Sequence, residues 1–146
     1  MDELIGKKVD RYEVAELLGK GGTAAVYKAS DTALSRWVAL KLIFPEQKQD
    51  AKFLRRFQRE ARSLAQLSHE SIIAVWDCGV WEGRPFLVTE YAPNGTLQNL
   101  LNRPWGAAEA AAMLIPIARA LEYTHSRGIF HRDIKPSNIL LDENNK

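Results

Sequence analysis

Apolar and polar residues alternate along much of the first half of the chain, a pattern typical of strands that are buried on one face. Five segments carry this alternation or a run of β-branched and aromatic residues. They span residues 12–18, 25–29, 36–43, 72–77 and 85–91. Three glycines in four positions separate the first two segments, and Trp81-Glu82-Gly83 separates the last two. The pattern therefore predicts two hairpins within an antiparallel sheet.

Helical spacing appears between the third and fourth strands and again in the second half of the chain. In residues 51–67 the apolar positions are Phe53, Phe57, Ala61, Leu64 and Ala65. A short helix is predicted over residues 96–103 and a long one over 107–126. The long segment is apolar around most of its circumference, which is typical of a helix buried on several sides. Pro116 within it is expected to kink the helix or loosen one turn.

The composition is that of an ordinary globular chain. Of its 146 residues, 46% are hydrophobic and 26% charged, and the mean hydropathy is −0.27, which suits one domain and excludes a disordered chain. A formal charge of +2 arises from 20 basic and 18 acidic residues without a long run of like charge. This balance provides no strong field for nucleic acid or for an anionic membrane, so neither is an expected partner.

Cys78 is the only cysteine, which excludes an internal disulfide and a cysteine-based metal cluster and fits a reducing compartment. The first residues carry acids where a signal peptide would carry basic residues. No apolar run approaches the roughly 20 residues of a membrane span. We therefore expect a cytoplasmic chain without a membrane segment.

The glycine-rich segment at residues 19–26 has two interpretations. Glycines allow the backbone to turn tightly and to approach a ligand, so that N–H groups can point at phosphate oxygens. An isolated glycine cluster is equally consistent with a plain hairpin turn. A Walker loop is excluded because no Gly-Lys-Ser/Thr follows, and a strand pattern follows where a dinucleotide fingerprint requires a helix.

Alternation along residues 36–43 places Ala39, Lys41 and Ile43 on one face, so that Lys41 is flanked by apolar residues. Glu60 falls on the apolar stripe of the predicted helix. One unpaired member of a buried ion pair costs roughly 3 to 5 kcal/mol, so we expect Lys41 and Glu60 to pair. The alternatives are a solvated lysine on an edge strand and a glutamate whose carboxylate reaches solvent at the helix edge.

The loop at residues 131–138 reads His-Arg-Asp-Ile-Lys-Pro-Ser-Asn. Asp133 could accept a proton from an attacking hydroxyl or orient it, and Asn138 offers a neutral oxygen to a divalent cation. Lys135 can neutralise charge on a transferred phosphoryl group. The alternative is a turn in which Asp133 and Asn138 bond their own backbone, with Pro136 assisting.

Taken in order, the glycine-rich segment, the strand lysine with the helix glutamate, and the loop 131–138 resemble the eukaryotic-like (Hanks-type) protein kinase family over about residues 12–142. The resemblance implies an α+β, protein kinase-like fold with a five-stranded antiparallel N-lobe sheet, helix C and a truncated helical C-lobe. It implies an N-lobe and hinge start at about residues 8–91 and the start of the C-lobe, through the catalytic loop, at 92–146.

The same resemblance implies a site for ATP and Mg²⁺. The nucleotide-binding residues it implies are Leu18, Gly19, Lys20, Gly21, Gly22, Thr23, Ala24, Ala25, Val26, Ala39, Lys41, Glu60, Thr89, Glu90, Ala92 and Leu140. Among them, Val26, Ala39 and Leu140 would enclose adenine, and the backbone near Glu90 and Ala92 would bond its edge.

For the loop, the resemblance implies that Asp133 and Lys135 are catalytic and that Asn138 binds the metal. The Asp-Ile-Lys-Pro-Ser-Asn pattern resembles the serine/threonine branch, and the glycine-rich segment resembles that of bacterial members. The implied function is ATP-dependent phosphoryl transfer to serine and threonine hydroxyls of protein substrates, as in a signalling kinase.

Two departures from the family pattern bear on activity. Ala24 stands where the pattern has its third glycine, and we expect ATP binding to survive this change. The chain ends before the family's Asp-Phe-Gly, so we expect the isolated chain to be inactive, to expose apolar surface and to self-associate. The alternative function is a non-catalytic pseudokinase or interaction module. The joint presence of Lys41, Glu60, Asp133 and Asn138 argues against it, because a binding module needs none of them.

Overall fold

The computed structural model describes residues 4–22, 24–44, 51–97, 101 and 103–127. The chain forms two compact units. The first contains the β-sheet and one helix, and the second contains a longer helix.

The chain passes from one unit to the other three times. Residues 68–73 belong to the second unit, the chain then returns to the first unit for residues 74–91, and it enters the second again at Ala92. Half of the residues of the helix predicted over 96–103 lie outside the described residues.

Six strands form the sheet in the described part of the chain, antiparallel throughout and in the order β1-β2-β3-β4-β6-β5. They are β1 Lys8–Val9, β2 Tyr12–Lys20, β3 Ala24–Asp31, β4 Arg36–Ile43, β5 Val75–Trp81 and β6 Arg84–Glu90. The predicted antiparallel sheet is confirmed, but the number of five strands is wrong. Strand β1 has two residues, which is too few to show an alternating pattern.

One predicted strand is displaced. The pattern predicts a strand over residues 72–77, whereas β5 begins at Val75 and continues to Trp81. The apolar pair that opens the predicted segment, Ile72 and Ile73, belongs to the second unit and not to the sheet. The turn from β5 to β6 is formed by Glu82 and Gly83, which both have positive φ, 50° and 76°. This conformation suits a two-residue hairpin turn, because the twist of its backbone matches the twist of the flanking strands.

The core of the first unit lies on one face of the sheet. Val38, Leu40 and Leu42 alternate along β4 and are completely buried, which confirms the expected in-and-out pattern of this strand. The buried residues packed with them are Leu4, Val9, Tyr12, Val14, Ala25, Tyr27, Ala29, Phe86 and Val88. The opposite face of β4 carries Trp37, Ala39 and Lys41, of which Ala39 is half-buried and the other two are exposed.

Helix α1 spans Ala51–Ala65, two residues shorter than predicted, and lies against β5. Ala61 is its buried residue among those described, at 3% exposure, and Leu54 and Phe57 are half-buried. These three positions are separated by three and four residues and define the stripe that faces the sheet.

This stripe differs from the predicted one. Glu60 precedes the buried Ala61 by one residue, which rotates it about 100° around the helix, and its side chain is exposed. Leu64 is 37% exposed, and the side chain of Phe53 lies outside the described set. The expectation that Glu60 faces the core is wrong. The apolar residues of α1 allow two stripes at helical spacing, and the stripe that packs against the sheet is the one with Ala61 rather than the one with Glu60.

Helix α2 spans Ala107–Ser126, as predicted, and continues through Pro116. Ala120 is the buried residue of this helix, whereas Leu114 and Ile115 are 55% and 49% exposed. Exposed apolar side chains on this helix agree with its apolar circumference. Neither α1 nor α2 combines the length and the apolar character that crossing a membrane requires.

Candidate active site

The face of the sheet opposite the core brings several of the predicted nucleotide-binding residues together. In the ladder, Val26 of β3 lies opposite Lys41 of β4, and Lys41 lies opposite Leu87 of β6. Two residues along the strands, and so on the same face, Ala39 lies opposite Thr89. Directly opposed residues on one face have Cβ atoms about 4.5 to 5.5 Å apart, so these side chains form a continuous patch.

Apolar and charged positions are interleaved across the patch, because Lys41 lies between Val26 and Leu87 and Ala39 lies between Lys28 and Thr89. Val26, Ala39 and Thr89 are half-buried, and Lys41 is exposed. Ala39 is small, so it leaves room above the centre of the patch. Apolar contact at Val26 and Ala39 and a cation at Lys41 are the two kinds of contact that the base and the phosphates of a nucleotide need.

The glycine-rich segment closes the hairpin of β2 and β3. The N–H of Gly21 donates to the carbonyl oxygen of Ala24 at 2.9 Å, and Gly19 pairs with Val26 in the ladder. A Cβ placed on Gly19 or Gly22 would meet no atom of the described residues within 4 Å. Packing within the described chain thus gives no reason for glycine at these two positions, whereas a ligand approaching the backbone would.

Other residues of this segment face in different directions. Leu18 lies at an irregularity in the pairing of β2 with β3 and is 42% exposed. Ala24 and Ala25 are buried, and Ala25 belongs to the core, so its side chain cannot contact a ligand. The ammonium of Lys20 lies over the ring of Phe44, 5.6 Å from its centroid.

The expected ion pair between Lys41 and Glu60 is not formed. Both side chains are exposed, and the ion pairs of the described residues join other partners. The physical reason is the orientation of α1, which turns Ala61 rather than Glu60 toward the sheet. Because Lys41 is exposed to solvent, it needs no counter-ion.

The segment that leaves the sheet is held by Glu90. Its N–H donates to the carbonyl oxygen of Ala74 at 3.1 Å, and its carboxylate accepts from the N–H of Ala74 at 2.8 Å. The hydroxyl of Thr89 donates to the carbonyl oxygen of Glu90 at 3.2 Å. The sequence pattern does not indicate Ala74, because Ala74 bonds through its backbone N–H and carbonyl groups, which every residue type but proline has. Ala92 follows in the second unit and is half-buried.

Five of the predicted site residues lie outside the described part of the chain: Thr23, Asp133, Lys135, Asn138 and Leu140. Their roles stay predictions. In the residues that are described, no group of three His, Cys, Asp or Glu side chains could hold a metal ion.

Comparison with known proteins places this geometry in a family. A family model described as the protein kinase domain matches residues 12–146. The chain is 44% identical over 140 residues to a probable serine/threonine-protein kinase of Streptomyces coelicolor, covering 92% of this chain and 21% of that protein. It is 39% identical over 142 residues to the serine/threonine-protein kinase PrkC of Bacillus subtilis, covering 95% and 22%. The chain spans about one fifth of the length of these relatives.

Solved structures of the same kind match the fold. The PknI kinase domain of Mycobacterium tuberculosis, in a single-site mutant form, aligns with a TM-score of 0.85 at 31% identity, over 97% of this chain and 59% of that one. Another crystal structure of the PknI kinase domain aligns with a TM-score of 0.80 at 30% identity, over 96% and 58%. The predicted α+β, protein kinase-like fold class is confirmed.

Proposed function

The chain belongs to the protein kinase family, and from this premise we propose that it forms the nucleotide-binding part of an enzyme that phosphorylates serine and threonine hydroxyls of protein substrates. The observation that carries the proposal is the patch formed by Val26, Ala39, Lys41 and Thr89 on the face of the sheet opposite the core, beside the glycine-rich hairpin. The relatives named above are serine/threonine-protein kinases, which agrees with this reaction.

ATP binds along the patch in this proposal. Adenine lies over Val26 and Ala39, enclosed on its other side by Leu140, and the backbone of Glu90 and Ala92 bonds its edge. Apolar contact and two or three backbone hydrogen bonds suit a ring with one polar edge. Lys41 and the N–H groups of residues 19–22 bind the phosphates, because an exposed ammonium and unhindered backbone donors both favour anions.

The loop at residues 131–138 supplies the chemistry. Asp133 accepts a hydrogen bond from the substrate hydroxyl and orients it for in-line attack, and Lys135 stabilises charge on the transferred group. Asn138 would contribute an oxygen ligand to Mg²⁺, which when bound neutralises charge on the phosphates. The work of these side chains is positioning and electrostatic stabilisation.

We assign the enzyme to signalling in the cytoplasm. The support is the lone Cys78, which fits a reducing compartment, and the near-neutral charge, which offers nothing to a nucleic acid.

A second candidate is a non-catalytic nucleotide-binding or protein-interaction module. The observation that favours it is the missing ion pair between Lys41 and Glu60, since active protein kinases require such a pair. The two candidates differ in whether bound ATP is turned over.

Nucleotide affinity and phosphate transfer test the proposal on the protein as its gene encodes it. We expect saturable binding of MgADP by titration calorimetry and transfer of labelled phosphate from ATP to a serine-containing protein. Lys41→Met should weaken MgADP binding at least about tenfold, because it removes the cation that faces the phosphates. Lys8→Met, on exposed β1, is the control and should bind normally.

Each result has one meaning. Binding without transfer supports the second candidate. No binding of any adenine nucleotide by a folded protein contradicts both candidates as nucleotide-binding proteins.

A further inference from the structure

Lys28 makes two aromatic contacts on the face of the sheet opposite the core. Its ammonium lies over the ring of Trp37, 4.3 Å from the centroid, and over the ring of Tyr91, 5.0 Å from the centroid. We call Lys28, Trp37 and Tyr91 the cation–aromatic cluster. Lys28 and Tyr91 are half-buried, and Trp37 is 49% exposed.

The cluster adjoins the patch proposed to hold adenine. Lys28 lies directly opposite Ala39 in the ladder of β3 and β4. Trp37 precedes Ala39 by two residues and so shares its face. The cluster and the adenine patch are therefore neighbours on the same surface.

Tyr91 has a particular place in the chain. Strand β6 ends at Glu90, where the last pair of the ladder joins Glu90 to Val38. Tyr91 follows immediately and is the last residue of the first unit. Beyond the ladder the backbone has no strand hydrogen bonds. A side-chain contact of Tyr91 is therefore what fixes the position of Tyr91 and its backbone.

Lys28 can perform this task across β4. A cation within about 6 Å of an aromatic centroid is attracted by the ring, and the attraction grows as water is excluded. Lys28 satisfies this condition with two rings at once, one on the sheet and one on the departing segment. It thereby connects Tyr91 to β3 and β4.

We propose that Lys28 is a positioning residue for the adenine end of the nucleotide site, acting through Tyr91. By anchoring Tyr91 it fixes the peptide group that joins Glu90 to Tyr91, and the carbonyl oxygen of this group is a proposed partner of adenine. This inference rests on the proposed function, and it adds a residue that does not itself contact the ligand.

Substitution of Lys28 tests the inference on the protein as its gene encodes it. Lys28→Met keeps the length of the side chain and removes the charge, and we expect it to weaken both adenosine and MgADP binding about two- to fivefold, the equivalent of one exposed cation–π contact. Lys28→Arg keeps a cation that stacks on aromatic rings and should restore affinity to within about twofold. Lys8→Met should have no effect.

Further readouts separate positioning from a purely structural role. For Lys28→Met we expect a raised KM for ATP with kcat unchanged. Lys41→Met should weaken MgADP much more than adenosine, because it acts at the phosphates. Tyr91→Leu removes the ring from the other side of the contact and should reproduce the loss, which keeps the test available if Lys28→Met folds poorly.

Three outcomes overturn the inference. Wild-type affinity in Lys28→Met would show that the cation positions nothing, and an equal loss in Lys28→Met and Lys28→Arg would show that shape rather than charge matters. A lowered melting temperature with unchanged affinity would assign the cluster to stability alone. In each case the proposed function stands as long as the wild-type protein binds MgADP. If the wild-type protein does not bind MgADP, both the proposed function and this inference fail.

Discussion

Asp31 shows how one buried charge is stabilised in this sheet. It is 1% exposed, and its carboxylate accepts hydrogen bonds from Nε of Arg11 at 3.2 Å and from the N–H groups of Ala33 and Leu34 at 3.0 and 3.1 Å. Burial alone raises the pKa of Asp31, but the hydrogen bonds from Leu34, Arg11 and Ala33 favour the ionised form, and the net pKa is lowered from its ordinary value of 3.8. The ionised group therefore stabilises the fold above pH 3.8, and this contribution is lost as the pH falls through the lower pKa of the folded state.

Replacement of this carboxylate should destabilise the first unit. Asp31→Asn presents an amide to donors that need an acceptor, and we expect a loss of about 2 to 3 kcal/mol in the free energy of unfolding at pH 7, measured by urea denaturation. The difference from wild type should shrink near pH 3. Asp10→Asn, an exposed residue with φ of 56° that asparagine tolerates, is the control. Equal urea midpoints for Asp31→Asn and wild type at pH 7 would contradict this account.

At the scale of elements, the strands and helices differ in how well their patterns specify them. The bounds of β4 and α2 agree with prediction, because β4 alternates along its whole length and α2 is an alanine-rich apolar segment longer than a strand. Helix α1 exists where it is predicted, but its orientation differs. Its apolar residues satisfy helical spacing in two ways, and contact with β5 selects the stripe centred on Ala61.

The orientation of α1 makes a prediction about Lys41 and Glu60. In a double-mutant cycle of Lys41→Met and Glu60→Gln, we expect the coupling in unfolding free energy to stay below about 0.5 kcal/mol, because the two charges are exposed and unpaired. Thermal and urea unfolding of the four proteins would measure it. A coupling of about 2 kcal/mol or more would show that the pair forms in solution, and then α1 must rotate.

At the scale of the whole molecule, the second unit carries exposed apolar surface on α2. Leu114 and Ile115 are adjacent and about half exposed. Single exposed apolar residues are ordinary, but a contiguous pair on an apolar helix favours association.

We expect the chain to self-associate through this surface. Static light scattering at micromolar concentration should give a mass above the 16.5 kDa of one chain, and Leu114→Gln with Ile115→Gln should lower it toward that value. Val80→Thr, which changes a residue that is 43% exposed in the first unit, should leave the mass unchanged. A wild-type chain that is monomeric under these conditions would refute the expectation.

The sequence by itself determined the antiparallel sheet, the extent of β4 and α2, and the residue motifs that resemble the protein kinase family. These properties depend on local periodicity and on residue types at short spacing, which a linear chain displays directly. Tertiary structure decided which stripe of α1 faces the sheet and hence that Lys41 and Glu60 stay apart. It also decided that Glu90 bonds to Ala74 and that Lys28 meets two rings. Such contacts join segments distant in sequence, and each side chain involved is equally common in roles that need no partner, so only packing could select them.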